Sequence, residues 1–383
     1  MLTISERSTS LGRSWLPRTF VITALSFGGF LSCGLFLALP QVVYAQASDL
    51  EKRGEPTEEL DDLLQQGREF LDNGNLADAL ATYQRAAEID VKNPRIFSGI
   101  GYIHAQKGNF QEAVDAYRQA IVLDPSNPDF EYALGFSLAN LGNDTDAVAA
   151  YRRATELAPK NLNAHMGLGV VLSRQGEYDR AVEAYRRVIA LDPKNAQAQT
   201  SIGLILLQQD RPKAALTTLQ RAVEIDPRNS GAQIGLGIAW LSQGDRSAAL
   251  AAFNRAARRD PNNGKLHLQI GKILQETGDV RGALSAYQRA VNVTPKLIDA
   301  QVALGDLALE QQEFMRAVLA FREVVQLDPQ NAHAFYQLGS ALKGRNRIEE
   351  AIAAFQQAQS LYEQQGNAAE VSRIETALKE LRS

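Results

Sequence analysis

Histidine, cysteine and short glycine motifs are the first places to look for chemistry in this sequence. The four histidines lie far apart along the chain, at His104, His165, His267 and His333. Metal sites usually draw ligands from closely spaced residues, and this spacing is absent. The only cysteine, Cys33, follows Phe30-Leu31-Ser32, a poor match to a lipoprotein site. We therefore expect no metal site, no cofactor and no thiol chemistry.

The glycine motifs do not indicate nucleotide binding. Gly-x-Gly occurs three times, at Gly99-Gly101, Gly167-Gly169 and Gly235-Gly237. A dinucleotide loop needs a third glycine three residues later, where His104, Leu172 and Trp240 stand instead. Gly-x-Ser-x-Gly is absent from the sequence, and the carboxylates are spread evenly along the chain. We expect no catalytic residue and a protein that is not an enzyme.

The N-terminal segment resembles a secretory signal. Arg7, Arg13 and Arg18 precede an apolar run over 20–39, which is followed by Pro40 and Ala45-Gln46-Ala47. This predicts a signal peptide over 1–45, or an uncleaved membrane anchor of the same segment, because the run is long enough to span a bilayer. Either alternative predicts export to a periplasm or thylakoid lumen. The sequence VVYAQA is similar to signal peptides of exported cyanobacterial proteins, and a polar linker is predicted over 46–59.

Net charge argues against nucleic acid as a partner. The chain carries a formal net charge of −4. Because the first 45 residues are basic, the rest is more acidic than this total. A phosphate backbone is usually bound by a basic surface.

A repeat of 34 residues accounts for most of the chain. Nine copies run without insertion over 60–93, 94–127, 128–161, 162–195, 196–229, 230–263, 264–297, 298–331 and 332–365. The eighth position of every copy is glycine, from Gly67 to Gly339, and the twentieth is alanine, from Ala79 to Ala351.

Each repeat has the features of two antiparallel helices. Apolar residues recur at helical spacing in both halves. We expect the mid-helix glycine to lie against the alanine at position twenty, because a close approach would offset the helix cost of glycine. Glycines such as Gly74 and Gly108 end the first helix, prolines such as Pro125 end the second, and asparagines cap the next repeat. The predicted caps are Asn93, Asn127, Asn161, Asn195, Asn229, Asn263 and Asn331.

These motifs resemble the tetratricopeptide repeat family. The matching features are Leu-Gly pairs such as Leu134-Gly135, alanine at positions twenty and twenty-seven, an aromatic residue at twenty-four and proline at thirty-two. The resemblance implies an all-α fold, a right-handed superhelical α-solenoid. Units three to eight depart from it with a polar fourth position, namely Glu131, His165, Gln199, Gln233, His267 and Gln301. Residues 366–383 are predicted to form a capping helix with Val371, Ile374, Leu378 and Leu381 on its apolar face.

The resemblance also implies where a partner would bind. In the family, positions two, five, nine and twelve of the first helices face the concave surface. In units three to six they include nine apolar residues, which we predict to bind a partner: Tyr132, Phe136, Met166, Val170, Leu204, Leu207, Ile234, Ile238 and Leu241. Further along, the same positions carry Lys265, Lys272, Asp299, Asp306 and Lys343. The alternative is that tight curvature or a dimer hides the apolar side chains. The residues at position six do not support the family's carboxylate clamp or asparagine ladder.

Arginine recurs at positions twenty-five and twenty-six of the second helices. A solvated outer face explains this row, and an anionic partner or membrane surface is the alternative. The row comprises Arg85, Arg118, Arg152, Arg153, Arg186, Arg187, Arg221, Arg255, Arg289 and Arg322.

Together these features predict an exported, non-enzymatic scaffold that holds a partner protein in its concave face. The alternatives are a membrane-anchored assembly or biogenesis factor and an accessory subunit of an envelope enzyme. The sequence leaves the oligomeric state open.

Overall fold

The protein is a stack of helices. The computed structural model describes residues 58–382, and these contain nineteen α-helices and no β-strand. The signal or anchor over 1–45, Cys33 and the linker up to residue 57 lie outside the described residues. The first helix begins at Glu58, two residues before the start of the predicted first repeat.

Successive helices alternate between the two halves of each repeat. The first helices are α1 (Glu58–Asp72), α3 (Pro94–Gln106), α5 (Pro128–Asn140), α7 (Leu162–Arg174), α9 (Ala196–Gln208), α11 (Ser230–Ser242), α13 (Gly264–Glu276), α15 (Ile298–Glu310) and α17 (Ala332–Gly344). The second helices are α2 (Leu76–Ile89), α4 (Phe110–Leu123), α6 (Asp144–Leu157), α8 (Tyr178–Leu191), α10 (Pro212–Ile225), α12 (Arg246–Arg259), α14 (Val280–Val293), α16 (Phe314–Leu327) and α18 (Ile348–Gln364). The last helix is α19 (Ala368–Arg382).

Asparagine side chains begin the first helices, as the sequence predicts. All seven predicted caps accept a hydrogen bond from a backbone N–H in the first turn, at 2.9 to 3.2 Å. This satisfies a donor that has no partner within its own helix. In the eighth repeat Leu297 occupies this place, and no side-chain cap forms there. The caps therefore fix where most repeats start.

A left-handed residue joins the two helices of each repeat. Six repeats place glycine there with φ between 72° and 84°, at Gly74, Gly108, Gly142, Gly176, Gly244 and Gly278. In the other three, Asp210, Gln312 and Asn346 adopt φ of 54° to 58°. Residues other than glycine rarely adopt this backbone conformation, because their Cβ atom comes too close to the following carbonyl oxygen. These three repeats therefore hold strained turns.

The mid-helix glycines accommodate the side chain at position twenty-four. A Cβ on Gly101 would lie 3.0 Å from the Tyr117 ring, and one on Gly237 would lie 2.4 Å from the Phe253 ring. The predicted close approach is present at these glycines, and the nearest atoms belong to the side chain at position twenty-four. The alanines are buried, but the bulkier residue four positions later is what a Cβ would strike.

The same packing explains the three Gly-x-Gly motifs. A Cβ on Gly99 would lie 2.6 Å from the ring of Tyr83 in the preceding repeat, whereas Gly101 faces Tyr117 of its own repeat. Gly167 and Gly169 likewise face Tyr151 and Tyr185. Each motif thus lets one helix approach two large side chains, which join consecutive repeats.

Polar residues at position four contact backbone carbonyls in the loops between repeats. His165 Nε2 lies 3.0 Å from the carbonyl oxygen of Pro159, and His267 Nε2 lies 3.0 Å from that of Pro261. In the eighth repeat, the Gln301 amide donates to the Pro295 carbonyl at 3.0 Å. Three of the six polar residues at the fourth position therefore bind the loop that follows the preceding second helix.

The last helix, α19, covers the end of the stack. Ile374 and Leu378 are buried, and Val371 and Leu381 pack against the same core. The Arg373 guanidinium lies 4.8 Å from the centre of the Tyr336 ring, and Lys343 pairs with Glu380 at 2.9 Å. Asn367 accepts a hydrogen bond from the Glu370 N–H. Helix α19 thus shields the apolar surface of the ninth repeat.

Candidate functional site

Residues 58–382 contain neither a cluster of metal ligands nor a membrane-spanning helix. No group of three or more His, Cys, Asp or Glu side chains there could hold a metal ion. None of the described helices is long and apolar enough to cross a membrane.

The nine predicted binding residues divide into two groups. Five are buried within the monomer, namely Tyr132, Met166, Val170, Leu207 and Ile234. Four are half-buried and reach the surface, namely Phe136, Leu204, Ile238 and Leu241. The chain itself already covers the five residues of the first group. An exposed groove built from all nine is not what the structure shows.

Three of the five buried residues, Tyr132, Met166 and Ile234, occupy position five of their repeats. The residue at position five is buried in repeats two to seven, where the chain itself covers the side chain. Tyr132 is an example, because its ring packs 5.8 Å from that of Tyr151. Burial raises the pKa of the Tyr132 hydroxyl to about 12. The side chains at position five therefore offer little exposed surface to a partner.

Position nine forms a continuous apolar row. In repeats two to six it holds Tyr102, Phe136, Val170, Leu204 and Ile238, and all but Val170 are half-buried rather than buried. We call these five residues the position-nine row. The Phe136 ring makes an edge contact with Phe110 at 6.3 Å. The Leu204 side chain lies against Gly235 of the next first helix. Tyr102 was missed in the sequence analysis, although its repeat position marks it as part of the row.

Amide side chains flank the position-nine row. Asn163 and Gln197 at position two are exposed, and so are Asn140 and Gln208 at position thirteen. Asn140 donates to the backbone carbonyl of Phe136 at 2.8 Å. Amides both donate and accept hydrogen bonds, so these edges could bind a peptide backbone. The position-nine row is thus an apolar surface with polar side chains beside it.

At the seventh repeat, position nine changes from an apolar to a charged residue. There Lys272 takes position nine and is half-buried, while Lys265 at position two is exposed. Neither lysine forms an ion pair with a carboxylate in the described part of the chain. The neighbouring Glu276 is different, since it pairs with Arg246 at 2.8 Å.

Asp306 continues position nine into the eighth repeat, and its carboxylate is already engaged. It accepts a hydrogen bond from the Gln337 amide at 3.1 Å, and His333 Nε2 lies 3.7 Å away. The Asp306 carboxylate beside His333 raises the pKa of the imidazole, outweighing the desolvation that lowers it. This contact links the last two repeats.

The arginine row on the second helices is partly neutralised by the protein itself. Arg118 pairs with Asp146 of the next repeat at 3.7 Å, and Arg322 pairs with Glu350 of the next repeat at 2.9 Å. Arg153, Arg187 and Arg221 pair with glutamates on their own helices. These pairs favour a solvated outer face over a surface reserved for an anionic partner.

Comparison with known proteins places the repeat region in a family. A comparison with curated protein sequences finds no match. The crystal structure of MamA is 26% identical and covers 42% of this chain and 95% of its own, with a TM-score of 0.41. PilF of Pseudomonas aeruginosa is 24% identical and covers 54% of this chain and 93% of its own, with a TM-score of 0.48.

Family models give the stronger result. Two models described as tetratricopeptide repeat match residues 64–128, 132–196, 171–230, 200–264 and 302–368 in one case and 240–307 in the other. Together these matches span nearly all of the described helices. The chain therefore belongs to the tetratricopeptide repeat family.

Proposed function

We propose that this protein is a non-enzymatic scaffold that binds a segment of a partner protein along the position-nine row. The observation that carries the proposal is that the row is apolar and partly exposed in repeats two to six, whereas position nine is polar in repeats seven to nine. A solvated helix face is normally polar, so partly exposed apolar side chains in one row favour a binding surface.

Two substitutions in the row test the proposal. Leu204→Asp with Ile238→Asp should abolish capture of the partner from the envelope fraction of the producing organism, as read by mass spectrometry. Full burial of a leucine is worth about 1.5–3 kcal/mol, and both side chains are already half-buried. The pair should therefore cost roughly 3 kcal/mol of binding, or about 100-fold in Kd.

A matched variant separates loss of binding from loss of solubility. Leu319 on α16 is 62% exposed and belongs to a second helix, so Leu319→Asp makes the same change on the other face. This control should retain the captured set. If the double variant keeps its helicity and its captured set as well, the position-nine row is not the binding surface.

The location and wider role of the scaffold are separate proposals. Arg7, Arg13 and Arg18 and the apolar run over 20–39 favour export to a periplasm or thylakoid lumen. An uncleaved run would make the protein a membrane-anchored assembly factor, and a stable complex with an enzyme would make it an accessory subunit. N-terminal sequencing of the purified protein decides between a cleaved and an anchored chain. Co-purification of an enzyme activity tests the accessory role.

A further inference from the structure

Repeats six and seven carry more positive charge than their own acidic residues can neutralise. The nine lysines and arginines of this segment are Arg246, Arg255, Arg258, Arg259, Lys265, Lys272, Arg281, Arg289 and Lys296. Its four acidic residues all have partners. Two accept a backbone N–H at a helix start, one accepts the Asn263 amide and one pairs with an arginine, and they are Asp245, Asp279, Asp260 and Glu276.

The unpaired charge is concentrated on the second helices of these two repeats. Helix α12 contains four arginines and no acidic residue, and α14 contains two arginines and no acidic residue. Arg258 and Arg259 lie in the last turn of α12, where the helix dipole already favours a cation. Arg255, Arg281 and Arg289 do not have that explanation. We call these three residues the arginine patch.

The arginine patch differs from most of the arginine row. Arg255 and Arg289 occupy position twenty-six of consecutive repeats, and all three patch residues are exposed. None of the three forms an ion pair with another residue of 58–382. In repeats two to five and in repeat eight, by contrast, a row arginine pairs with a carboxylate of the protein itself. The patch therefore offers guanidinium groups that another molecule can bind.

Helix α1 in the first repeat carries the opposite charge. It contains six acidic residues and one basic residue, and its last turn contains no basic residue. The helix dipole favours carboxylates in the first turn, but Asp62, Glu69 and Asp72 lie beyond it. All three are exposed, and none forms an ion pair with another residue of 58–382. Stability of the helix does not explain these three residues, which we call the α1 carboxylates.

The arginine patch and the α1 carboxylates cannot neutralise each other within one molecule. In a stack of repeats each unit contacts its neighbours, and α1 packs against α2 of its own repeat. Repeats two to five separate the first repeat from α12. The two groups of opposite charge can therefore meet only between two copies of the chain.

We propose that α1 of one copy docks on the arginine patch of a second copy. A guanidinium binds a carboxylate through two parallel hydrogen bonds, which suits an arginine patch to an acidic helix. Because the two surfaces differ, each copy keeps one of them free, and association can continue head to tail. This contact does not involve the position-nine row and leaves the proposed function unchanged.

A membrane surface and a nucleic acid are the other large anions that an arginine patch could meet. Either presents negative charge over a wide area and would also face the rest of the chain, which is net acidic. Beside the arginines, the exposed residues Ser247, Asn254 and Ser285 are small or polar and give a bilayer no apolar anchor. A short acidic helix engages the patch alone, so the second copy is the better fit.

Analytical ultracentrifugation of the purified full chain tests the proposal. Exposed ion pairs are individually weak and are screened by salt, so the average mass should exceed that of a monomer at about 500 μM protein and about 20 mM salt. About 500 mM salt should return the protein to a monomer. A protein that stays monomeric at low salt would overturn the proposal.

Charge reversal on either surface should weaken association about tenfold or more, because attractive pairs become repulsive. The two reversal variants are Arg255→Glu with Arg289→Glu, and Asp62→Lys with Glu69→Lys. The matched control is Arg152→Glu with Arg186→Glu, which makes the first change at exposed, unpaired row positions in repeats three and four. This control should associate like the original protein. Association that persists in either reversal variant would contradict the proposal.

Mixing the two reversal variants gives the sharpest result. Neither should associate alone, but an equimolar mixture should, because the α1 carboxylates of one variant meet the intact arginine patch of the other. Circular dichroism checks that both variants are folded. If one has lost helicity, the neutral variants Arg255→Gln with Arg289→Gln and Asp62→Asn with Glu69→Gln replace the pair, each with a smaller expected loss of association.

Two further measurements identify a different occupant. Loss of association in Leu204→Asp with Ile238→Asp would place the contact on the position-nine row and overturn the proposal. Flotation of a monomeric protein with phosphatidylglycerol vesicles, lost in Arg255→Glu with Arg289→Glu, would assign the arginine patch to a membrane surface and would equally overturn it.

Discussion

Removing the tyrosine hydroxyl at two equivalent repeat positions should change stability in opposite directions. Tyr117 and Tyr287 both occupy position twenty-four, and their rings are buried against a glycine of the first helix. The Tyr287 hydroxyl donates to Gln275 Oε1 at 2.7 Å. The Tyr117 hydroxyl is buried and has no hydrogen-bond partner among residues 58–382. Burial raises the pKa of both hydroxyls, as expected for groups removed from water.

The structure sets the size of each effect. A hydrogen bond contributes about 0.5–1.5 kcal/mol net, and exposed Gln275 can return to water, so Tyr287→Phe should destabilise by about 1 kcal/mol. A buried hydroxyl without a partner costs about 1–3 kcal/mol in mutational data. Allowing for the small void left behind, Tyr117→Phe should stabilise by about 1 kcal/mol. The ring itself fits, because Phe253, Phe321 and Phe355 occupy this position in other repeats.

Local opening is the quantity to measure, because long repeat arrays need not unfold in one step. Native-state hydrogen exchange of the helices beside each substitution reports the free energy of that opening. Tyr151→Phe serves as a second test, since its hydroxyl is also buried without a partner in the described region. If Tyr117→Phe and Tyr287→Phe destabilise equally, then hydrogen bonding does not distinguish the two sites and the reasoning is wrong.

Three further predictions concern the joints of the stack. Gln312→Gly should stabilise the adjacent helices by about 0.5–1 kcal/mol in native-state hydrogen exchange, because glycine adopts the left-handed conformation without strain; a loss of stability would contradict this. His267→Leu should destabilise the adjacent helices by about 1 kcal/mol in the same measurement, because the contact with the Pro261 carbonyl is lost. The raised pKa of His333 means that its contact with Asp306 stabilises the fold below pH 6.5 and is lost as pH rises through the folded value. Because His333 is half-exposed, the effect should be only a few tenths of a kcal/mol, and Asp306→Asn should remove it from a pH titration of stability.

Local features of the sequence are enough to predict the helix boundaries. Asparagine at a helix start, glycine at a left-handed turn and proline after the second helix act through backbone chemistry within a few residues. The seven predicted asparagine caps therefore form as expected. The strained turns at Asp210, Gln312 and Asn346 follow from the same register, because the fold imposes on them the conformation that glycine adopts elsewhere.

Contacts between helices were harder to predict, because they depend on how neighbouring helices cross. Sequence position shows that Gly101 lies in a close approach, but not that the Tyr117 ring is what a Cβ on it would strike. The same limit applies to the binding surface. Whether Tyr132 or Phe136 reaches solvent depends on how closely adjacent first helices pack, and repeat position alone does not specify that distance.

The end of the stack limits where a partner can bind. Tyr336 and Lys343 occupy positions five and twelve of the ninth repeat, and both are engaged by α19, through Arg373 and Glu380. Asp306 in the eighth repeat is held by Gln337 of the ninth. Polar groups that already have partners give little to an incoming segment, because each new contact replaces an existing one. We therefore expect the surface that gains most from binding to run from the second repeat to Lys272 in the seventh, where the apolar side chains are only partly covered and the lysine forms no ion pair with another residue of 58–382.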